Sequence, residues 1–111
     1  MLPKLNRLTK KKDFDGVFKN GKSIKSDFLL CKAVKNNLEK SRFGFVVSKK
    51  ISLKATVRNK IKRRLRKAVA GIMQQVKNPV DMVIVTLPGI EKKEYLEIEK
   101  VIKDSFKKLN V

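Results

Sequence analysis

Histidine and tryptophan are absent from this sequence of 111 residues, and cysteine occurs once. Without histidine the chain lacks the commonest metal ligand and the usual general base, which excludes Ser-His and Cys-His catalysis and histidine-containing zinc sites. The single Cys31 cannot form an intrachain disulfide, so a reducing compartment, the cytoplasm, is the simpler expectation. A protein-only enzyme of a familiar type is therefore not expected, and we name no catalytic or metal-binding residue.

Long apolar runs are also missing. The longest, such as Val83 to Val85 and Phe28 to Cys31, are far too short to span a bilayer, and the basic N-terminus lacks the apolar stretch of a secretory signal. Apolar residues still make up 41% of the chain, which is enough for a packed core. We therefore expect residues 1–111 to form a single domain with no membrane partner.

Acidic residues are scarce, and positive charge is concentrated in the first part of the chain. Lys and Arg number 29 against 10 Asp and Glu, a formal net charge of +19. Residues 1–67 hold 22 basic residues and four acids, whereas residues 68–111 hold seven lysines and six acids. Clustered Lys and Arg favour a polyanionic partner, because a phosphate backbone releases counterions when it binds them. The alternatives are a solvated charged surface and a membrane-surface helix, and the second lacks tryptophan anchors.

The first half of the chain predicts a helix followed by extended segments. Thr9 is a candidate N-cap for a short helix that runs to about Asn20 and stops at Gly21. Extended segments follow over residues 22–35 and from residue 43 to about residue 50. In the first of them, alternation places four apolar residues on one face: Ile24, Phe28, Leu30 and Val34.

The second half predicts a helix, a strand and a last helix. Residues 56–77 form the strongest helix, which Asn78 and Pro79 end, with an apolar stripe of Val57, Ile61, Leu65, Ala68, Val69, Ile72 and Val76. Val80 to Leu87 resembles a strand that is buried on both faces. Residues 91–109 form an amphipathic helix with Leu96, Ile98, Val101, Ile102, Phe106 and Leu109. The order is α-β-β-α-β-α, or α-β-β-β-α-β-α if the first extended stretch is broken, and one sheet with helices on it would bury these faces.

The segment from Val57 to Lys67 carries the most informative pattern. On a helix of about 100° per residue, a ridge beside the apolar stripe carries Asn59, Lys62, Arg63 and Arg66. Like charges at these spacings repel by a few tenths of a kcal/mol per pair, and no acid within the segment relieves the repulsion. A polyanion would relieve it, and the planar fork of arginine pairs well with phosphate oxygens. Asn59 could bond to phosphate, to a base or to a loop, and solvated charge explains Lys60, Arg64 and Lys67 equally well.

The loop before this helix adds two further cations. Lys49 and Lys50 follow a predicted strand and lie close to the helix N-terminus, where anions are favoured. Arg58 and Asn59 are expected in the first turn of the same helix. A phosphate bound there would meet backbone N–H groups, lysine and arginine together.

The aromatic residues of the first half allow two interpretations. Phe14 and Phe18 are either core residues or platforms in a basic cleft on which unpaired bases stack. Phe28 has the same ambiguity and favours the core. Cys31 is expected in the core or at the edge of the cleft, since no histidine could activate it as a nucleophile.

Together these motifs resemble the bacterial ribonuclease P protein subunit. The matching segments are Asn6-Arg-Leu8, Asp13-Phe14, Val17-Phe18 followed by Gly21, Val47-Ser-Lys-Lys50 and Arg58-Asn-x-x-Lys-Arg-x-x-Arg66. The basic helix with its Arg-Asn pair is the signature of that family. The resemblance covers about residues 5–87, and the last helix agrees only in type.

The resemblance implies an α/β sandwich, with a central mixed sheet and an unusual left-handed βαβ crossover around the basic helix. It implies that the protein is a subunit of an RNA-based endoribonuclease. In such a complex the RNA holds the active site and most of the Mg²⁺, which activates water for phosphodiester hydrolysis. The implied partners are the ribonuclease P RNA and precursor tRNA, whose 5′ leader the complex removes.

The resemblance also assigns binding residues. Contacts to the catalytic RNA would come from Lys49, Lys50, Arg58, Asn59, Lys62, Arg63 and Arg66. The leader would lie in a cleft with Phe14 and Phe18, and with Arg7 and Lys32 as neighbours. Two residues depart from the family pattern: Cys31 stands where an aromatic residue is often expected in the cleft, and Lys67 stands where an acid is common.

Three other functions remain open at this point. The main alternative is a structural RNA-binding protein, such as a small ribosomal protein. The strand-Ser-Lys-Lys loop that leads into an Arg-Asn helix favours ribonuclease P over this alternative. A sequence-specific DNA-binding module would need a helix-turn-helix signal before the basic helix, and none is present. A protein-only nuclease would need catalytic groups that the composition does not supply.

Overall fold

In a computed structural model that describes residues 2–111, four strands form one mixed sheet and helices cover both of its faces. The elements are α1 (Lys11–Asn20), β1 (Lys22–Lys25), β2 (Leu29–Lys35), β3 (Arg42–Val46), α2 (Ala55–Ile72), β4 (Val80–Thr86) and α3 (Tyr95–Lys108). Short 3₁₀ turns occupy Lys4–Asn6, Met73–Gln75 and Ile90–Lys92. The predicted order is confirmed, with the first extended stretch broken into β1 and β2.

The strand order β1-β2-β4-β3 produces the predicted mixed sheet. β2 pairs antiparallel with β1 and β4, whereas β3 pairs parallel with β4. A parallel pair needs a crossover, and α2 supplies it, so β3, α2 and β4 form a βαβ unit. The left-handed sense of that crossover stays a prediction.

The main core lies between one face of the sheet and the helices α2 and α3. The predicted α2 stripe supplies Ile61, Leu65, Ala68, Val69 and Ile72, all buried. From the sheet, Phe43 stacks on Phe106 of α3 with ring centroids 6.1 Å apart. β4 is buried over almost its whole length, as its continuous apolar run predicts.

The opposite face of the sheet is covered by α1. Val17 packs there with Leu8 and Val83 in a smaller core. The ring of Phe14 lies on Gly44 of β3 so closely that a Cβ at Gly44 would be 2.4 Å from the Phe14 ring. The glycine therefore sets how near α1 approaches the sheet.

The boundaries of α1 differ in detail from the prediction. The first helical N–H groups bond to the carbonyl of Lys10, so Thr9 lies one residue outside the helix and is not its cap. Gly21 does end the helix, but with extended backbone (φ −78°). The need for glycine there is spatial, because a Cβ would lie 2.6 Å from the carbonyl oxygen of Val17 and 3.1 Å from that of Ala33.

The other two helices also differ from their predicted extents. α2 ends at Ile72, whose φ of −122° leaves the helical range, and a 3₁₀ turn replaces the predicted helical end. Val76 therefore does not extend the helical stripe. In α3, Leu96 is 73% exposed because it lies two residues, about 200° of rotation, from buried Ile98.

The prediction that Ile24 and Phe28 share a sheet face with Leu30 and Val34 is wrong. In the β1–β2 hairpin Lys25 pairs with Leu30, and Ile24 pairs with Cys31. Directly opposed residues share a face, so even-numbered residues of β1, such as Ile24, lie on the same face as odd-numbered residues of β2, such as Cys31. Ile24 and buried Phe28 therefore pack against the main core, whereas Leu30 and Val34 lie on the α1 face.

Candidate nucleic-acid interface

The loop of residues 47–54 connects β3 to α2 and presents Lys49 and Lys50 to solvent, with Lys54 also exposed where the helix begins. Buried Val47 and Ile51 anchor the loop in the main core. Lys49 and Lys50, which lie between these anchors, are exposed. The two anchors therefore hold the exposed stretch between them against the body of the protein, a few residues before the start of α2.

Arg58 ties the start of α2 to this loop. Its Nη1 donates hydrogen bonds to the carbonyl oxygens of Ser52, at 2.9 Å, and Leu53, at 3.0 Å. No side chain caps the helix at Lys54 within the part of the chain that the structure describes. Asn59, predicted in the first turn, is the fifth helical residue and begins the second turn, where it is exposed.

The basic ridge, defined as Asn59, Lys62, Arg63 and Arg66, lies along α2 beside its buried stripe. Arg63 is exposed, and Lys62 and Arg66 are half-buried. Among residues 2–111 none of the three cations forms an ion pair with a carboxylate, because the ion pairs lie elsewhere. Their mutual repulsion is therefore unrelieved within the protein, as the sequence indicated.

The far side of α2 has a different role from the ridge. Arg64 donates from Nη1 to the carbonyl oxygen of Lys93 at 3.2 Å. The Nζ of Lys67 lies 4.9 Å from the centre of the Tyr95 ring, and burial, with a contribution from Glu99, raises the pKa of that tyrosine. Both cations join α2 to the start of α3, so solvation alone does not describe them.

Phe14 and Phe18 lie in different environments in the structure. Phe14 is half-buried and packs with the smaller core under α1. Phe18 is 39% exposed, and the Nζ of Lys32 lies 5.7 Å from the centre of its ring. The same Nζ donates to the carbonyl oxygen of Phe18 at 3.3 Å. Phe18 and Lys32 are thus brought together at the surface, whereas Phe14 is largely a packing residue.

An apolar strip beside this pair was missed in the sequence. Leu30 and Val46 each pair with Val85 in the sheet register, so the three lie side by side across β2, β4 and β3. All three are half-buried and lie on the face that α1 covers only in part. The cleft is defined here as this strip together with Phe18 and Lys32. Leu30 could have been found in the sequence from its shared parity with Lys32.

Arg7, which was assigned to the cleft, and Cys31, which was expected in the core or at the cleft edge, both lie away from it. Arg7 is exposed beside the outer edge of β3, where its Nε donates to the carbonyl oxygen of Leu2 at 3.0 Å. Cys31 is buried in the main core on the opposite face of the sheet, so of its two predicted places the core is confirmed and the cleft edge is wrong. Burial raises the pKa of its thiol to about 11, although a hydrogen bond with Ser105 opposes this shift.

The cleft and the loop of residues 47–54 are neighbours at the end of the sheet where β3 and β4 finish. The parallel strands β3 and β4 end at the same edge, so their last residues lie close together. Val46, part of the apolar strip, is also the residue directly before the loop of residues 47–54. A nucleic acid could therefore contact the apolar strip and Lys49 or Lys50 on one continuous surface.

The side chains present do not form a metal site. Across residues 2–111 no three His, Cys, Asp or Glu side chains converge where they could hold a cation. In the same described residues, no helix is both long and apolar enough to cross a membrane.

Comparison with known proteins identifies relatives over nearly the whole chain. The family model for ribonuclease P matches residues 2–110. A ribonuclease P protein component of Syntrophomonas wolfei is 41% identical over 100 residues, which cover 90% of this chain and 83% of that protein. A Staphylococcus aureus RNase P protein mutant with defective mRNA degradation activity superposes with a TM-score of 0.86, at 26% identity, over 94% of this chain and 87% of that one. The Thermotoga maritima RNase P protein superposes with a TM-score of 0.80, at 27% identity, over 88% and 92% of the two chains.

Proposed function

This chain belongs to the bacterial ribonuclease P protein family, and we propose that it uses the basic ridge to bind the catalytic RNA and the cleft to bind the 5′ leader of precursor tRNA. Family membership makes it a component of the ribonuclease P holoenzyme and favours this function over a ribosomal protein. The assignment of residues to each RNA is the proposal.

The unpaired cations of the ridge carry the proposal for the catalytic RNA. Three cations without carboxylate partners on one side of α2 repel one another until an anion lies between them. RNA phosphates supply that anion, and arginine can form bidentate hydrogen bonds with phosphate oxygens. Lys49 and Lys50 extend the same charge along the loop, and Arg58 keeps that loop against the helix.

The composition of the cleft supports a single-stranded partner. One exposed aromatic ring, a lysine beside it and an aliphatic floor provide stacking and charge without a fixed pattern of hydrogen-bond donors. Such surfaces tolerate different base sequences, because every base has a face that can stack. A leader that differs from one precursor tRNA to the next needs this tolerance.

Catalysis in this proposal belongs to the RNA. The chain lacks histidine, and its described side chains do not fit a protein-held Mg²⁺ site, so no reaction step is assigned to a residue of this protein. The Mg²⁺ that activates water would be held by the RNA. The protein would neutralise phosphate repulsion and hold the substrate, and its buried free thiol suits the reducing cytoplasm of a bacterium.

Reconstitution tests the proposal directly. The purified protein is combined with a bacterial ribonuclease P RNA and labelled precursor tRNA at low Mg²⁺, where the RNA alone is slow. We expect a large protein-dependent increase in correct 5′ cleavage. Tight, salt-sensitive RNA binding without any increase would contradict the proposal and direct the search to ribosomal RNA.

A charge-matched pair of variants assigns the effect to the ridge. The triple variant Lys62→Gln, Arg63→Gln, Arg66→Gln is expected to lose most of the stimulation. The control Lys92→Gln, Lys100→Gln, Lys108→Gln removes the same charge from exposed positions outside α2 and should retain it. Equal losses in the two variants would mean that total charge, and not the ridge, governs binding.

A further inference from the structure

Arg42 of β3 joins three elements through its guanidinium. Its Nε and Nη2 donate to the two carboxylate oxygens of Asp81 in β4, at 2.9 and 2.6 Å. Its Nη1 donates to Oδ2 of Asp13 in α1 at 3.3 Å. One side chain thus holds two strands together and reaches the helix that covers them.

Three hydrogen bonds hold the strand side of this network, at Asp81. The Asp81 side chain is 11% exposed and accepts a further hydrogen bond from Nδ2 of Asn36 at 2.8 Å. The hydrogen bonds with Asp81 raise the pKa of Arg42 above its ordinary value. A bidentate ion pair with a buried carboxylate fixes the plane of the guanidinium. The pairing with Asp81 in the sheet therefore directs Nη1 at α1.

The helix side of the network lies at the start of α1. Asp13 is the third residue of the helix, directly before Phe14, whose ring lies on Gly44. Phe18 lies four residues after Phe14, slightly more than one turn along the same helix. An ion pair at Asp13 therefore holds the N-terminal end of α1 against the sheet. The position of that end in turn determines where Phe18 lies over the cleft.

We infer that Arg42 is a positioning residue, which anchors α1 through Asp13 and thereby fixes the distance between Phe18 and the apolar strip on which the leader would lie. This inference rests on the proposed function of the cleft. The hydrogen bonds and ion pairs that the structure shows for Arg42 go to Asp81 and Asp13 and not to residues of the cleft, so it acts through the helix.

Electrostatics alone predicts the opposite result for loss of Asp13. Removal of a carboxylate makes the protein more positive, and a more positive protein binds RNA more tightly. Asp13→Asn should therefore tighten every RNA interaction if only charge matters. If Arg42 positions α1, the same substitution should weaken the preference for substrates that carry a leader.

Asp15→Asn is the matched control. Asp15 lies on the same helix, is exposed and forms no ion pair within residues 2–111, so the substitution changes the charge equally and leaves the anchor intact. Asp13→Glu keeps a carboxylate for Arg42 and should restore most of the behaviour of the parent protein.

Two measurements are made on each variant. The first is amide hydrogen exchange of α1 in the free protein, compared with exchange in α2 and α3. The second is the ratio of affinities of the reconstituted holoenzyme for precursor tRNA with a leader and for mature tRNA. For Asp13→Asn we expect faster exchange in α1 alone and a leader preference lowered by about three- to tenfold, the size expected for the net loss of one hydrogen bond.

The outcomes separate this inference from the proposed function. If Asp13→Asn matches Asp15→Asn in both measurements, the anchoring role of Arg42 is overturned. Faster exchange over the whole protein would mean general loss of stability and would also overturn it. If the parent holoenzyme shows no leader preference, the proposed cleft fails and the functional half of this inference fails with it, while the exchange data still decide whether Arg42 anchors α1.

Discussion

Cys31 is sealed between the sheet and α3, where the neutral thiol is favoured over the thiolate. Burial raises its pKa from an ordinary value of 9.0 to about 11. Since the folded pKa is the higher one, the stability that the neutral thiol contributes is complete below about pH 9. It is lost as the pH rises through about 11.

The pH dependence of Cys31→Ala tests this environment. At pH 7 the variant should be less stable than the parent protein, because it leaves a small cavity in a packed core. The gap in unfolding free energy should shrink between about pH 9 and about pH 11, since only the parent loses the contribution of the thiol. Urea unfolding at several pH values measures the gap, and a constant gap would show that the thiol titrates normally.

Gly44 sets the distance between α1 and the sheet at a single position. Gly44→Ala places a Cβ within 2.4 Å of the Phe14 ring, so we expect a loss of about 1–3 kcal/mol in stability from overpacking. In a Phe14→Ala background the same substitution should cost much less, because the ring is gone and only the Cβ of Leu8, 3.3 Å away, remains close. Thermal unfolding of the four proteins of this cycle measures the coupling, and additive losses would exclude the steric explanation.

Phe18 and Phe14 should respond differently to truncation. Phe18→Ala should reduce affinity for precursor tRNA with a leader more than affinity for mature tRNA, because an exposed stacking ring is lost (about 1–3 kcal/mol). Phe14→Ala should mainly lower the melting temperature, since its ring packs under α1. A melting temperature lowered equally by both variants, with unchanged leader preference, would place Phe18 in the core.

At the level of elements, α2 has two charged sides: the basic ridge, which we expect to bind RNA, and the far side, which contacts the start of α3. The adjacent residues Arg63 and Arg64 lie on different sides. Arg63→Ala on the basic ridge should weaken binding of the catalytic RNA by about 1–3 kcal/mol with the fold intact. Arg64→Ala removes the bond to the Lys93 carbonyl oxygen and should affect RNA binding little. Filter binding and thermal unfolding of both variants test this, and equal binding of Arg63→Ala and the parent would remove Arg63 from the interface.

The sequence was sufficient for the elements of this fold because each carries its own local pattern. The stripe of α2 as far as Ile72, the apolar run of β4 and the charge on the ridge depend on spacing along the chain, and the structure agrees with them. Whether these ridge residues contact RNA stays a prediction. The strand faces could not be derived in the same way, because helices cover both sides of the sheet and apolar residues occur on each.

Long-range pairing accounts for two features that the sequence does not indicate. The hairpin register between β1 and β2 decides that Ile24 shares the face of Cys31, towards the main core, and not the face of Leu30. The pairing of Arg42 with Asp81 joins residues 39 positions apart, and no local spacing indicates it. Thr9 was misjudged as a cap by one residue, within the usual uncertainty of helix ends.

At the scale of the whole molecule, the distribution of charge predicts how RNA binding responds to salt. If five to eight phosphates are neutralised, the logarithm of the affinity should fall with the logarithm of salt concentration at a slope of roughly −4 to −6 for single-stranded RNA. The triple ridge variant should show a shallower slope, since it neutralises fewer phosphates. Titrations at several salt concentrations measure the slope, and a flat response would contradict an electrostatic interface.

The sealed thiol also makes the molecule convenient to observe. With Cys31 buried and its pKa raised, maleimide dyes should not react with the native chain. A cysteine introduced at one exposed position, such as Lys60→Cys on α2, would then be the single point of attachment for a fluorophore or spin label. Distances from that label to a labelled RNA could be measured in the working assembly without removal of the native cysteine.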